Sequence, residues 1–236
     1  MRNLSQSELL DVWERGLDQS QIERVLSLVG AVETEAERFT WGECVATLFR
    51  LSEQTFGEQI TGIATCPSCS HDLEVSFTVP SEFPPAHPTA LSVTCGGFIA
   101  SFRLPTLVDL LTAGDAADAY SAERALLRRC VTTASAPSGP VASDELPADV
   151  VSAISEAMAE ADPHAEVTLP VVCANCRHAW TADFDIASFL WSEVQARAVH
   201  TLRDVHRLAA AYGWSEGAIL EMSPARRRVY LELIAE

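Results

Sequence analysis

The sequence predicts an α+β protein, mostly helical, with short antiparallel β-hairpins that carry two zinc knuckles. The first observation is a repeated cysteine spacing, in Cys66-Pro67-Ser68-Cys69 and Cys173-Ala174-Asn175-Cys176. After each pair apolar residues alternate at period 2, which is typical of a β-strand leaving a tight turn. The second observation is helical periodicity on both sides of these segments. We therefore predict two hairpins within a helical chain, each with a cysteine pair at its tip.

The four cysteines of the two pairs fit one metal site. A closed tetrahedral structural zinc site takes four protein ligands, and two knuckles supply them. We therefore predict one structural Zn²⁺ ion, bound by Cys66, Cys69, Cys173 and Cys176. Such a site has no open coordination position, which favours a scaffold over a catalytic metal. The sequence leaves open two separate sites that use His71 and His178, a redox dithiol, or thiols without metal.

Helical and ribbon segments alternate along the chain. We predict an N-terminal helical region over residues 1–59, zinc-ribbon halves over 60–79 and 166–185, an α/β insertion over 80–165 and a C-terminal helical region over 186–236. In the N-terminal region, Asp18 is the predicted N-cap of a second helix. Thr40 and Glu43 form a predicted capping box for a third helix, which Gly57 ends. The apolar stripes of these helices are predicted to form core.

The insertion has its own pattern of strands and helices. We predict a hairpin over residues 91–103 that turns at Gly96-Gly97, and helices that begin near Leu107, Ser121 and Pro147. Residues 134–143 are rich in Ala, Ser, Pro and Gly, so we predict a flexible surface loop there. Four prolines within residues 80–88 predict an extended segment.

The C-terminal region contains the longest helical pattern of the chain. Its apolar stripe predicts a helix from about Ile186 to Tyr212 that ends at Gly213, followed by short helices that begin at Ser215 and Pro224. We expect this region to contact a partner protein, because aromatic residues and arginines dominate interface hot spots. The candidate contact residues are Trp191, Trp214, Arg226, Arg227, Arg228 and Tyr230. Packing in the core is the competing interpretation of the three aromatic side chains.

The composition limits the partners and the location. The formal net charge is −17, and all 16 cationic side chains are arginines because the chain contains no lysine. A field of this sign repels phosphate backbones, so nucleic acid is disfavoured as a partner. The sequence shows neither a run of 18 apolar residues nor a secretory signal pattern. We therefore predict a cytoplasmic protein with no membrane partner.

Several stretches spread along the chain form a recognisable series. They are Cys66-Pro67-Ser68-Cys69, Phe102-Arg103-Leu104-Pro105-Thr106, Cys173-Ala174-Asn175-Cys176 with Trp180, residues 184–191 and residues 211–231. Their order resembles the baseplate hub assembly-type proteins of contractile-tailed phages and phage-derived contractile injection systems. The resemblance implies a non-enzymatic structural or assembly role, other baseplate or tail subunits as partners, and incorporation into a phage or phage-tail-like particle. It supplies no catalytic residues.

Two other classes of function compete with the structural one. A zinc-ribbon nucleic-acid-binding or regulatory protein would use the knuckles, or the terminal helices as a helix-turn-helix. Three adjacent arginines on a helix point in three directions, and Glu221 and Glu232 dilute their charge, which argues against this function. An enzyme would need a catalytic arrangement. The sequence has no Gly-rich phosphate loop, nucleophile elbow or HExxH motif, so we predict no enzymatic activity.

Overall fold

The fold combines helices with short antiparallel strands, as predicted. The computed structural model describes residues 4–79 and 90–235. The predicted extended segment at residues 80–88 lies outside them. Within the described ranges there are nine α-helices and eight strands. None of the described helices combines the length and the apolar character that crossing a bilayer requires.

Capped amphipathic segments form the helices. A Ser or Thr N-cap with a Glu three residues later opens each of the first three, because this pair satisfies two free backbone N–H groups. The helices are α1 Gln6–Gly16, α2 Gln21–Gly30, α3 Trp41–Phe56, α4 Leu107–Gly114, α5 Ala119–Cys130, α6 Ala148–Ala161, α7 Ile186–Tyr212, α8 Glu216–Leu220 and α9 Pro224–Ala235. Helix α7 has the predicted bounds and ends at Gly213, whose φ of 69° is left-handed.

The strands of the described residues form three antiparallel sheets. Strand β1 (Gln59–Thr65) pairs with β2 (Asp72–Thr78), which gives the first predicted knuckle hairpin. A four-stranded sheet follows, in the order β3-β4-β5-β6. Its strands are Leu91–Cys95, Phe98–Phe102, Val131–Ala136 and Gly139–Pro140. Strand β7 (Thr168–Val172) pairs with β8 (Ala179–Asp183) and gives the second knuckle hairpin.

Two local predictions are wrong. The segment 134–143, predicted as a flexible loop, contributes to the four-stranded sheet, in which β5 pairs with β4 and β6 pairs with β5. Its short polar residues lack the apolar alternation of a strand, and hydrogen bonding to β4 overrides their weak propensity. The N-cap of α2 is Ser20 and not Asp18. Ser20 forms a capping box with Glu23, which satisfies more backbone N–H groups than a lone Asp.

Three apolar clusters hold the elements together. The largest joins α1, α2, α3 and the first half of α7, with Phe49 fully buried. The second fills the space between the four-stranded sheet and helices α5 and α6, around Phe102. The third joins the end of α7 to α8 and α9, around Leu208 and Ile219. The apolar stripes predicted from the sequence therefore do form core.

A buried carboxylate attaches the insertion to the N-terminal helices. Asp162, at the end of α6, accepts a 2.9 Å hydrogen bond from the backbone N–H of Gly42 in the first turn of α3. The positive end of the helix dipole favours a carboxylate at this place. A Cβ atom at Gly42 would lie only 1.8 Å from Asp162 Oδ1. Glycine is therefore required for this contact.

A second buried carboxylate, Asp109, fixes the start of α4. It accepts hydrogen bonds from Arg103 Nη1 at 2.5 Å and from Arg129 Nε at 2.6 Å. The backbone N–H and the hydroxyl of Thr106 donate to it as well. Burial acts to raise the pKa of Asp109, but the bonds from Arg103, Thr106 and Arg129 outweigh it and hold that pKa well below its usual range. The stretch around Arg103 and Thr106 thus has a structural role.

Candidate metal centre

The first cysteine pair lies on the turn between β1 and β2, the first predicted knuckle. The backbone N–H of Cys66 donates to the carbonyl of His71 at 3.0 Å, and the N–H of Ser70 donates to the carbonyl of Cys66 at 2.9 Å. Ser70 has a φ of 56°, in the left-handed region that favours glycine. The chain therefore reverses directly after Cys69, and the two thiols of the pair lie on one turn.

The second knuckle, between β7 and β8, repeats this geometry. The N–H of Cys173 donates to the carbonyl of His178 at 2.8 Å, and the N–H of Arg177 donates to the carbonyl of Cys173 at 2.9 Å. Arg177 has a φ of 63°, at the position equivalent to Ser70. A non-glycine residue in this region costs about 1 kcal/mol. The two turns therefore share one backbone conformation, with a left-handed residue directly after the second cysteine of each pair.

The two turns face each other and bring four sulfur atoms together. The Sγ atoms of Cys66 and Cys176 are 3.7 Å apart, and so are those of Cys69 and Cys173. All four Sγ atoms lie within 4.8 Å of one another. A tetrahedral zinc site with Zn–S bonds of about 2.3 Å has S–S edges of about 3.8 Å, whereas a disulfide has an S–S bond of about 2.0 Å. The spacing fits a tetrahedral metal site, and all four cysteines are free thiols.

N–H groups donate hydrogen bonds to two of the four sulfur atoms. The side-chain amide of Asn175 donates to Cys69 Sγ at 3.6 Å, and the backbone N–H of Cys176 donates to Cys173 Sγ at 3.5 Å. The bond from Asn175, together with one from the backbone of His71, lowers the pKa of Cys69 to about 6. The backbone of His178 acts to lower the pKa of Cys176, but desolvation and the bonds with the other three thiols outweigh it and raise that pKa to about 11. A cysteine binds a metal ion as its thiolate, and several thiolates at this distance repel each other unless a cation lies between them. The cluster can therefore hold a soft divalent metal ion such as zinc.

The two knuckle histidines lie outside this cluster of four cysteines. The ring of His178 stacks on Trp180, with centroids 6.0 Å apart and an angle of 15° between the planes. His71 is exposed and takes part in its turn through its carbonyl group. Because four thiols already surround one centre, the geometry favours one site over the two separate sites that the sequence left open.

Aromatic packing joins the two hairpins to the largest core. Phe184, directly after β8, packs edge-on against Phe77 of β2 with centroids 4.9 Å apart. Its ring also lies 6.0 Å from Phe49 of α3 and 5.6 Å from Phe189 of α7. The two hairpins belong to separate two-stranded sheets. Because an isolated hairpin is only marginally stable in water, the hairpins depend on packing of this kind, to which Ile60 of β1 contributes as a fully buried member of the largest core.

The structure divides the six candidate contact residues into two that are buried and four that lie at or near the surface. Trp191 is 8% exposed and packs in the largest core, with its ring against Gly16 and the Arg24 guanidinium 4.6 Å above it. This burial favours core packing, the alternative that the sequence left open for Trp191. Arg227 is 3% exposed and lines a cavity instead of the outer face of its helix. The remaining four lie at or near the surface: Trp214, Arg226, Arg228 and Tyr230.

Comparison with known families identifies the class of protein. A family model described as T4 bacteriophage base plate protein matches residues 5–191. The chain belongs to this family. The matched range of the base plate protein family contains all four cysteines and the insertion, and it ends inside α7. The baseplate resemblance noted in the sequence is confirmed. No curated protein and no solved structure matches the chain.

Proposed function

We propose that the chain is a non-enzymatic structural or assembly component of the baseplate of a contractile tail or contractile injection system, stabilised by a structural zinc ion. The observation that carries this proposal is the base plate family match over residues 5–191, a range that includes both knuckles. Other baseplate or tail subunits are its partners. The protein acts in the cytoplasm of the host cell and becomes part of the phage or phage-tail-like particle.

Zinc has the role of a cross-link in this proposal. Cys66, Cys69, Cys173 and Cys176 would hold the ion. The Cys69 and Cys173 sulfurs are 3.7 Å apart although 104 positions separate them in the chain. Bound zinc would therefore tie the first hairpin to the second, and the second leads directly into α7. A rigid junction of this kind suits a subunit that must keep its shape among many neighbours.

The partner-facing surface in this proposal is the aromatic cluster at the C-terminal end. Tyr212 and Trp214 stack with centroids 4.5 Å apart, and Tyr230 lies edge-on to Trp214 at 4.8 Å. Arg226 lies over the Tyr230 ring at 5.7 Å. Tyr212 remains 38% exposed. Rigid aromatic rings beside an arginine are the composition enriched at the centres of protein interfaces.

Sedimentation of particles from the native host tests the proposed role. We expect the chain to co-sediment with finished particles if it is a structural subunit, or with assembly intermediates only if it is an assembly factor. Its absence from both fractions would contradict the proposal. Tight, sequence-selective DNA binding that is lost on substitution of Arg226 would favour the nucleic-acid-binding alternative instead.

A pair of aromatic substitutions tests the proposed surface. Trp214→Ala should reduce recovery of the chain in particles, because it removes the central ring of the aromatic cluster. Tyr120→Ala is the matched control, since Tyr120 is an aromatic side chain 65% exposed on α5, far along the chain from the cluster. Zinc content and the urea midpoint of both variants should show that the fold is retained. Equal recovery of the two variants would place the interface elsewhere.

A further inference from the structure

A cavity between α1, α7 and α9 concentrates positive charge. Its volume is ≈ 500 Å³, within the usual range of ligand-binding pockets. Four of the chain's 16 cationic side chains line it, namely Arg197, Arg207, Arg227 and Arg228. The chain as a whole carries a formal charge of −17. The cavity is therefore a local positive site that opposes the field of the whole protein.

Arg227 is the unusual member of this group. It is 3% exposed, and its Nε and Nη1 atoms have no hydrogen-bond partner among the described residues. A guanidinium group removed from water is costly unless an anion pairs with it. Asp204 also lines the cavity and acts on Arg227 through its charge, but its carboxylate lies 3.6 Å from His200, and among the described residues it forms no ion pair with Arg227. Among the residues that the structure describes, Arg227 thus has a charge of opposite sign nearby but no carboxylate in contact with it.

We infer that this cavity is a docking site for an acidic side chain, Asp or Glu, carried by a neighbouring protein subunit. The exposed guanidinium groups of Arg197, Arg207 and Arg228 at the cavity would attract the carboxylate. Arg227 would then form with it a charge-assisted, desolvated ion pair, for which guanidinium geometry is well suited. The inference rests on the proposed baseplate role, because that role supplies protein neighbours.

The protein's charge favours a carboxylate over a nucleic-acid phosphate. A nucleic acid brings a row of phosphates, most of which would approach the acidic surface of a chain with a formal charge of −17. A single carboxylate on a protein needs only the cavity itself. The lining residues of α7 and α9, from Arg197 to Leu231, also lie beyond the range 5–191 of the family match. The family match therefore does not account for this site.

The inference is tested by the binding of a charged peptide to the wild type and to two arginine variants, one of which is a control. The probe is a fluorescein-labelled peptide with three glutamates, compared with the same peptide carrying three glutamines, by fluorescence anisotropy on the full chain. Arg227→Met keeps the apolar stem and removes the charge. Arg203→Met is the control, because Arg203 is an exposed arginine of α7 that does not line the cavity.

We expect the wild type to bind the glutamate peptide and not the glutamine peptide. Arg227→Met should weaken binding about tenfold or more, and Arg203→Met should change it less than about twofold. Arg227→Met should also raise the urea midpoint, because it removes an unpaired buried charge. A merely structural arginine would behave in the opposite way. Its loss would lower the midpoint and leave peptide binding unchanged.

Other outcomes overturn the inference. Failure of the glutamate peptide to bind, or equal binding of the glutamine peptide, would show that the cavity does not select a carboxylate. Stronger binding of a short DNA duplex or of inorganic phosphate would reassign it to phosphate groups. In particle sedimentation, normal recovery of Arg227→Met beside the wild type would reject the docking site and leave the baseplate role intact. Absence of the wild type would reject the baseplate role, while the peptide result still decides the cavity.

Discussion

The proposed zinc cross-link predicts similar effects for substitutions at two distant cysteines. Cys66→Ser and Cys173→Ser each remove one of the four ligands of the proposed ion, although they lie in different hairpins. Because both substitutions break the same link, each should destabilise the whole protein by a similar amount. The double variant should be little worse than either single one, since a link that is already broken cannot be broken again.

The length of the loop that the proposed metal closes sets the expected loss of unfolding free energy. The Cys69 and Cys173 sulfurs are separated by 104 positions in sequence. The chain-entropy estimate for closing a loop of this length is about 4.7 kcal/mol at 25 °C. Measured cross-links often deliver somewhat less than this estimate, so we expect each single variant to lose about 3–5 kcal/mol of unfolding free energy. The double variant should lose at most about 0.5 kcal/mol more. The total unfolding free energy of a typical domain is only about 5–15 kcal/mol.

Urea unfolding with excess zinc, followed by tryptophan fluorescence, measures these differences. Cys95→Ser is the matched control, because Cys95 is half-buried, lies outside the sulfur cluster and should change stability by less than about 0.5 kcal/mol. A strong chelator should reduce the stability of the wild type to that of the ligand variants. Additive losses in the double variant, or a wild type that the chelator leaves unchanged, would refute the shared cross-link.

Three further predictions concern the metal and the two buried carboxylates. Purified protein should contain about one zinc ion per chain by elemental analysis; two ions would indicate separate sites. Gly42→Ala should lower the unfolding free energy by about 2 kcal/mol or more, because the new Cβ meets Asp162 Oδ1 at 1.8 Å. Gly217→Ala, in α8 with no atom within 4 Å of the added Cβ, should be neutral or slightly stabilising. Asp109 has a lowered pKa, so its stabilising effect is present above a pH of about 4 and is lost as the pH falls toward the folded-state pKa. The stability difference between wild type and Asp109→Asn should therefore shrink as the pH drops from about 5 to 2, and a constant difference would contradict this reasoning.

The features that could be predicted from the sequence are those that depend on residues close together in the chain. The bounds of α7 follow from a sustained apolar stripe and from Gly213, which needs a left-handed φ. The capping box of Thr40 and Glu43 is likewise a local pattern that the structure confirms. The cysteine hairpins follow from spacing and alternation, and their agreement at two places made one four-sulfur centre the simplest prediction.

The features that could not be predicted depend on tertiary packing. Three adjacent arginines in sequence do not show which one faces inward, and only the position of α9 against α7 makes it Arg227. Trp191 is buried because Gly16 of α1 leaves room for its ring. Strand β5 forms because it can hydrogen-bond to the edge of β4, and its own residues lack the apolar alternation that would predict a strand. Each of these outcomes is decided by a neighbour that is distant in sequence.

The distance between the two knuckles also sets an order of events during synthesis. Ribosomes add about 5–20 residues per second. The second cysteine pair therefore emerges roughly 5–20 seconds after the first, given the 104 positions from Cys69 to Cys173. During this interval the nascent chain carries two thiols without the other half of their site, open to oxidation or to capture by another metal. A four-sulfur cluster therefore requires a chain whose first two thiols stay reduced until the second pair has been made.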